Sequence, residues 1–290
     1  MGIQVSNVEQ LHQHLMQLGQ TRLSPAMPDI ETDWEHDQQR TLALSRHEIQ
    51  FLEAERRNIT QQASQVPTET RAFMAWFEAL QTQGPGQHDP LFPWLAHTAT
   101  LDQMRWFIHQ EVAGEAGFED LVALTQLRMP VTAKLEMARN YWDEMGRGSA
   151  RGMHGPMLED VATTLNIDPH AKMTWEAMAL GNLMLGLAYN RRYAYHAVGA
   201  LGAIELTAPT RATLVATGLK RLQTAKQGHL YFSLHASVDV RHAKDWNREV
   251  IASLIEQNPA VARCIAEGAL MRLQAGARCF TRYRAEFNLA

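Results

Sequence analysis

The segment TWEAMALGNLMLGLAYNRRYAYHAVGALGAIEL, residues 174–206, constrains the fold of this chain more than any other. It is long and largely apolar, and it lacks the polar and apolar alternation of a half-buried β-strand. Small residues that would let neighbouring helices approach closely recur along it. They are Gly181, Gly186, Gly199 and Gly202. The segment therefore predicts helices that pack inside a compact bundle.

The rest of the chain also has helical periodicity, and no run of alternating β-branched residues lies between turn signals. About seven helices able to form a core follow a polar N-terminal stretch rich in Gln, His, Glu and Arg. We therefore expect an all-α protein in which residues 1–95 form a helical extension packed on a core domain, residues 96–290. The histidines of the extension lack a consistent spacing and are expected to be solvated. They are His12, His14, His36 and His47.

Composition limits the class of protein. The 290 residues carry a net charge of −4, from 27 basic and 31 acidic residues, with no basic block, which disfavours nucleic acid as a partner. Neither a signal segment nor a run of about 18 apolar residues is present, so no membrane association is expected. The two cysteines, Cys264 and Cys279, are too few for a disulfide framework and favour a reducing cytoplasm.

The segment HLYFSLHASVDVRHAKDW, residues 229–246, places three residues of metal-binding type on one helix face. His235, Asp239 and His242 are spaced by four and three residues, and each residue of a helix turns by about 100°. They lie among apolar residues, where a helix should bury its side. The pattern H-x3-D-x2-H predicts an inward-facing metal-binding edge on one helix over residues 229–256. The alternative is a half-exposed face whose polar side chains point to water.

Two further sites carry unusual residues. Glu205 follows nine uncharged residues, and burial of a carboxylate costs several kcal/mol unless it is paired or binds a cation. An ion pair with Arg or Lys, or a helix that surfaces before Pro209, would also explain it. In NYWDEMGRGSARGMHGPML, Glu144 ends a helix, and a glycine-rich break frees His154 to turn back towards it. The alternative is a solvated acid and a residue of a helix cap.

Together these residues form a mixed oxygen and nitrogen donor set. Glu144, Glu205 and Asp239 supply carboxylates and the three histidines supply imidazoles, a combination that two Fe(II) or Mn(II) ions accept. Three carboxylates leave two divalent ions with a net positive charge, which suits oxygen activation and an anionic substrate. Zinc is disfavoured, since a structural zinc site prefers cysteine and four ligands. A ferritin-like centre needs E-x-x-H on two helices, and the chain has this motif only at Glu9–His12.

On these residues the chain resembles the haem-oxygenase-like di-iron oxidases, also described as iron-containing redox enzymes, over roughly residues 100–260. His235-x3-Asp239-x2-His242, with Glu205 upstream and the break between Glu144 and His154, carries the resemblance. It implies a seven-helix, haem-oxygenase-like bundle in which these six residues bind two ferrous ions per chain, with manganese as a substitute. It further implies that O2 is used to N-hydroxylate, desaturate or oxidatively cleave a small amino-acid-derived metabolite.

The resemblance leaves other features open. In some members an extra carboxylate on a preceding helix joins the metals, for which Glu111 and Glu115 are the candidates. We expect a homodimer and allow for an external electron donor, with no catalytic residue beyond the metal ligands. The alternative functions are a non-catalytic helical binding protein and a cofactorless oxidase of the same fold.

A dense polar and aromatic cluster precedes Glu205. It comprises Tyr189, Arg191, Arg192, Tyr193, Tyr195 and His196, of which Arg191, Arg192, Tyr195 and His196 are the candidate substrate-binding residues. An arginine of this cluster could bind a substrate carboxylate through two hydrogen bonds. The alternative is a helix junction whose polar groups are satisfied by internal hydrogen bonds.

Overall fold

The computed structural model describes residues 7–25, 27, 34–114 and 117–289. Within these ranges the chain is helical and contains no β-strand, which confirms the all-α prediction. The α-helices are α1 (Val8–Leu23), α2 (Trp34–Ala63), α3 (Thr70–Gln83), α4 (Leu91–His97), α5 (Leu101–Gly114), α6 (Phe118–Thr125), α7 (Val131–Glu144), α8 (His154–Thr164), α9 (Trp175–Tyr189), α10 (Ala194–Arg221), α11 (Gln227–Asp245), α12 (Ser253–Gln257) and α13 (Val261–Glu286). Among the described helices, none combines the length and apolarity that a membrane span requires.

The apolar segment identified in the sequence forms the buried centre of the bundle. Helix α9 is buried at every position from Glu176 to Ala188, and α10 packs against α11, α13 and α4. A β-carbon added at Gly199 of α10 would overlap the carbonyl oxygen of Ile265 on α13. Glycine therefore lets the two helix backbones come together here, as the small-residue pattern predicted.

Pro209 lies inside α10 and does not end it. Because proline has no backbone N–H, the carbonyl of Glu205, four residues earlier, loses its usual helical partner. The hydroxyl of Thr207 donates to the carbonyl of Ala203 at 2.6 Å, and the helix continues to Arg221. Glu205 is only 2% exposed. The alternative in which the helix surfaces before Pro209 is therefore wrong.

The predicted helix over residues 229–256 is confirmed, with one local difference. Helix α11 continues without a break into a π-helical segment, Trp246–Ala252, and then into α12. The π-helical turns pack against α7 and α10, and the indole of Trp246 donates to the carbonyl of Val198 at 3.2 Å. Such segments are rare and often lie beside functional sites. Here the segment begins four residues after His242.

The described helices of the first 95 residues share the hydrophobic core with the rest of the chain. Helix α1 packs on α9, and α2 packs on α13 and α9. The guanidinium of Arg22 donates to both carboxylate oxygens of Glu48, which joins α1 to α2. The domain boundary at residue 95 stays a prediction.

The prediction that all N-terminal histidines are solvated is wrong for His12. Its side chain is buried between α1 and α9, and its ring stacks on Trp175 with ring centroids 5.9 Å apart. The side-chain amide of Asn182 donates to the backbone carbonyl of His12 at 2.8 Å. His12 is buried by contacts with other helices, and the spacing of residues within α1 does not predict such contacts.

Candidate metal centre

The break after α7 brings His154 back to Glu144. An isolated antiparallel bridge pairs Met145 with Met153, and this pairing closes the intervening loop. The two side chains are buried, and Nδ1 of His154 contacts Oε2 of Glu144. The expectation that the glycine-rich break lets His154 return is confirmed.

Gly146 is the residue that permits this return. Its φ of +60° lies in the left-handed region, and a β-carbon there would overlap the backbone of Gly152. The loop backbones therefore approach too closely for any residue but glycine at this position. The geometry of the Glu144–His154 contact depends on this close approach.

Glu205 is buried opposite α7, and its partners come from α7 and α11. The amide of Asn140, one turn before Glu144, donates to Oε1 of Glu205 at 2.6 Å. Nδ1 of His242 lies 3.6 Å from Oε2 of Glu205. Among the described residues, Glu205 pairs with no lysine or arginine, so the simple ion-pair alternative is not what the structure shows.

The polar edge of α11 faces inward. Asp239 and His242 are buried and His235 is partly buried. Nδ1 of His235 donates to the carbonyl of Tyr231 at 2.8 Å, which leaves Nε2 as its lone-pair nitrogen. The rings of His235 and His154 lie edge to face with centroids 4.5 Å apart. The predicted inward orientation is confirmed, and the ligand role of these residues stays a prediction.

His242 lies at the meeting point of four acidic side chains. Its Nδ1 atom is 3.6 Å from Glu205, 3.8 Å from Glu144 and 3.9 Å from Asp239, yet makes no hydrogen bond. Its Nε2 atom lies 3.1 Å from the carboxylate of Asp143 and donates to it. One nitrogen is thus held by a carboxylate while the other points at three carboxylates. This is the arrangement of a metal-binding histidine with its orienting partner.

The described residues contain two overlapping groups of possible metal ligands, and within each group the offered atoms all lie within 4.8 Å of one another. The first is Glu144, His154 and His235, and the second is Glu144, Glu205 and His242. Glu144 belongs to both groups, and Asp239 adjoins the second through His242. A carboxylate shared by two groups of ligands suits a pair of adjacent cations.

Burial and charge set the protonation of these groups. Burial raises the pKa of Glu144 well above its ordinary value, and the charge of Glu205 raises it further. Burial lowers the pKa of His154 and of His235 to about 4. Burial also opposes protonation of His242, but the carboxylates around it outweigh burial and raise its pKa to about 9. Two imidazoles are therefore neutral, and the third carries a proton where three carboxylates meet.

The chemistry of this set fits divalent iron or manganese. Carboxylate oxygens and imidazole nitrogens make up the six candidate ligands, and neither cysteine adjoins them. The Nδ1 atom of His242, which faces three carboxylates without a hydrogen bond, is the kind of buried polar atom that a bound cation would satisfy.

A cavity of about 110 Å³ opens beside the candidate ligands. Glu144, Glu205, His235 and Asp239 line its polar end. Its walls are apolar and largely aromatic, with side chains from α4, α5, α6, α8, α10 and α11. The wall residues are Phe92, Phe107, Phe118, Leu158, Ile204, Ala208, Ala212, Val215, Tyr231 and Phe232. The candidate ligands therefore face a cavity suited to a small organic molecule.

Three charged residues also line this cavity, and two of them were missed in the sequence. They are Glu111 on α5, Arg211 on α10 and Arg272 on α13. Glu111 belongs to neither of the two ligand groups. In the sequence, Arg272 is the only charged residue of GALMRLQAGA, which is a signal of the same kind as that for Glu205. The other candidate accessory ligand, Glu115, lies outside the described residues.

The proposed substrate cluster lies elsewhere. The guanidinium of Arg191 donates to the carbonyls of Leu124, Thr125 and Leu127 at the end of α6. Nε2 of His196 lies 3.0 Å from a carboxylate oxygen of Glu267 on α13. Arg192 is exposed, and Tyr195 packs on the core. None of the four lines the cavity beside the candidate ligands, so the structure places them as residues of a helix junction.

Comparisons with known proteins agree with this architecture. The family model described as "Iron-containing redox enzyme" matches residues 105–277. A CADD-like protein of unknown function from Nostoc punctiforme PCC 73102 has a similar structure, with a TM-score of 0.59 and 18% identity, covering 76% of this chain and 99% of its own. A domain of unknown function with a heme oxygenase-like fold from Shewanella denitrificans OS217 has a TM-score of 0.50 and 13% identity, covering 80% of this chain and 92% of its own. No curated protein matches the chain. The haem-oxygenase-like fold is confirmed.

Proposed function

Because the chain belongs to the family of iron-containing redox enzymes, we propose that it activates O2 at a centre of two ferrous ions. Its substrate is a small amino-acid-derived metabolite, which it N-hydroxylates, desaturates or oxidatively cleaves. The observation that carries the proposal is the carboxylate of Glu144, which belongs to both groups of candidate ligand atoms.

The six candidate ligands would hold the metals. They are Glu144, His154, Glu205, His235, Asp239 and His242. Bound ferrous ions would supply electrons for the reduction of O2, and manganese accepts the same donor types. An external donor would return the electrons that the reaction consumes.

The protein's own residues prepare the site for cations. His154 and His235 have pKa values of about 4, so both are neutral near pH 7 and have a lone pair available. His242 has a pKa of about 9 and must release its proton before Nδ1 can bind a metal. Asp143 holds the proton on Nε2 throughout. Metal binding should therefore release a proton from the protein.

The apolar walls of the cavity would position the substrate. Phenylalanine and aliphatic side chains surround the polar end, so they would exclude water and hold an organic substrate against the ligands. The polar end contributes the candidate metal-binding side chains, and we propose no catalytic residue beyond them.

An anaerobic iron titration followed by oxygen uptake tests the proposal. Metal-free protein should take up two ferrous ions per chain and consume O2 faster with one of a panel of amino acids. Glu144→Gln should abolish both properties, while Glu159→Gln, at an exposed position on α8, should change neither. Iron uptake without O2 consumption would favour the binding-protein alternative. O2 consumption without metal would favour a cofactorless oxidase.

A further inference from the structure

Glu111, Arg211 and Arg272 line the same cavity as the candidate metal ligands but lie outside both ligand groups. They come from three different helices, α5, α10 and α13. The charges that shift the pKa of Arg211 are those of Arg272 and Glu111, not those of the candidate ligands Glu144, Glu205 and Asp239, which also line the cavity. Within this local group of three, the formal charges sum to one positive charge. This part of the cavity therefore suits an anionic group of an occupant, which would compensate that charge.

The internal contacts of Arg211 leave donors unused. One guanidinium nitrogen donates to the hydroxyl of Thr207 at 3.1 Å, and the group lies over the rings of Phe92 and Phe280. Among the described residues it forms no ion pair. A guanidinium carries five N–H donors in a planar fork, which matches the two oxygens of a carboxylate.

The charges of these residues also favour the binding of an anion. Burial lowers the pKa of Arg211 to about 10, and the charge of Arg272 lowers it further while Glu111 opposes both. Burial raises the pKa of Glu111, against the charges of the two arginines. A bound carboxylate would relieve the repulsion between Arg211 and Arg272.

We propose that Arg211 and Arg272 bind the carboxylate of the organic substrate, with its apolar chain directed along the phenylalanine walls towards Glu205. The identification of this ligand as the substrate rests on the proposed function, whereas the carboxylate site itself does not. Arg211 follows Glu205 by six residues, which is about 9 Å along a helix. The carboxylate is thus held several bonds away from the candidate metal ligands, and a remote part of the molecule faces them.

Two sources of carboxylate fit this site. A simple monocarboxylic acid would neutralise the three charged residues. An α-amino acid would place its ammonium group against Glu111 and its carboxylate against the arginines. Both share the contact with Arg211 and Arg272, and Glu111 distinguishes them.

Calorimetric titration of the full chain with hexanoate, norleucine and hexanamide tests the proposal. Hexanoate or norleucine should bind at least tenfold more tightly than hexanamide, which lacks the charge. Arg211→Gln and Arg272→Gln should each weaken binding of the carboxylates at least tenfold and leave hexanamide unchanged. Arg71→Gln, at an exposed position on α3, is the matched control and should bind as the parent does.

The variant Glu111→Gln identifies the source. Loss of norleucine binding with retention of hexanoate would support an α-amino acid, and stronger hexanoate binding would support a monocarboxylic acid. Arg211→Lys keeps the charge but loses the fork, and should weaken binding by less than Arg211→Gln does. Circular dichroism checks that each variant is folded, and the comparison of hexanoate with hexanamide on the parent protein needs no variant.

Equal affinity for hexanoate and hexanamide, or unchanged carboxylate binding in both glutamine variants, would overturn the proposal. Iron content separates this outcome from failure of the proposed function. The arginine variants should retain the iron of the parent protein. Carboxylate binding by a protein that takes up no iron would leave the anion site standing and remove the metal centre.

Discussion

Asp143 accepts a hydrogen bond from Nε2 of His242 at 3.1 Å, although its neighbour Glu144 faces the opposite nitrogen of the same ring. Two consecutive residues of α7 therefore bracket one imidazole of α11. Burial opposes ionisation of Asp143, but hydrogen bonds from Arg147 and His242 outweigh it and hold its pKa below the ordinary value. Asp143 thus stays charged and fixes which nitrogen of His242 carries the proton.

Asp143→Asn should weaken ferrous iron binding by about 10- to 100-fold, the usual effect of removing the partner of a ligand histidine. The variant loses the negative charge that keeps the proton on Nε2 of His242. Iron affinity measured by anaerobic competition with a chelator is the readout. Asp160→Asn, at an exposed position on α8, is the control and should bind iron as the parent does. Unchanged affinity in Asp143→Asn would remove Asp143 as a positioning residue.

Glu144 and Glu205 should differ in how many metal ions depend on them. Glu144 belongs to both ligand groups, whereas Glu205 belongs to one. Glu144→Gln should therefore lose both ions, and Glu205→Gln should retain the ion held with His154 and His235. The helical circular dichroism signal should persist in both variants, because the large apolar core is untouched. Elemental analysis of iron-loaded protein gives the two stoichiometries. Equal losses in the two variants would contradict the shared role of Glu144.

The candidate ligands could be predicted because each signal is local in sequence. The spacing of His235, Asp239 and His242 fixes a shared helix face, and burial follows from their apolar neighbours. The glycine-rich break between Glu144 and His154 likewise predicts a return within ten residues. Helical geometry alone therefore indicates which side chains point inward.

The surrounding residues could not be predicted in this way. Asp143 and Asn140 look like ordinary polar residues of an amphipathic helix, and their contacts with His242 of α11 and Glu205 of α10 arise only in the folded protein. Arg211 and Arg272 lie on different helices and meet in one cavity through tertiary packing. Arg191 lies near Glu205 in sequence but is not among the residues that line the cavity, because the fold turns its side chain towards the end of α6.

Gly146→Ala should destabilise the loop that returns His154 to Glu144. Its positive φ and the overlap of a β-carbon with Gly152 should together cost about 1–3 kcal/mol. Thermal unfolding should show a lower midpoint, and iron content should fall because the Glu144–His154 contact moves apart. Ser149→Ala changes an exposed residue of the same loop and should alter neither quantity. Full iron content in Gly146→Ala would separate the loop conformation from metal binding.

Ferrous iron should increase the hydrogen-exchange protection of α11. Asp239, Glu205 and Glu144 lie close together, and their mutual repulsion grows in a medium of low dielectric constant. Cations that bind the native site and not the unfolded chain stabilise it by about 2.7 kcal/mol at a hundredfold excess over Kd. Exchange of residues 229–245 should therefore slow with iron in the parent protein and not in Glu144→Gln, which should bind neither ion and serves as the control. Equal protection with and without iron, in a protein shown to bind iron, would mean that the site is preformed.

Stability should fall on mild acidification because of His12. Burial, with the charge of Arg278 as a smaller cause, lowers the pKa of His12 to about 4, against about 6.5 in the unfolded chain. The unfolded state therefore binds the proton first as the pH falls. The free energy of unfolding is unaffected by His12 above about pH 6.5 and decreases as the pH falls towards 4. The total decrease is about 3 kcal/mol. Urea unfolding at pH 7 and pH 5 should show a smaller loss of unfolding free energy for His12→Gln than for the parent. His36→Gln, at an exposed position, should show the parent's loss, and an identical loss in all three proteins would mean that His12 does not titrate in this range.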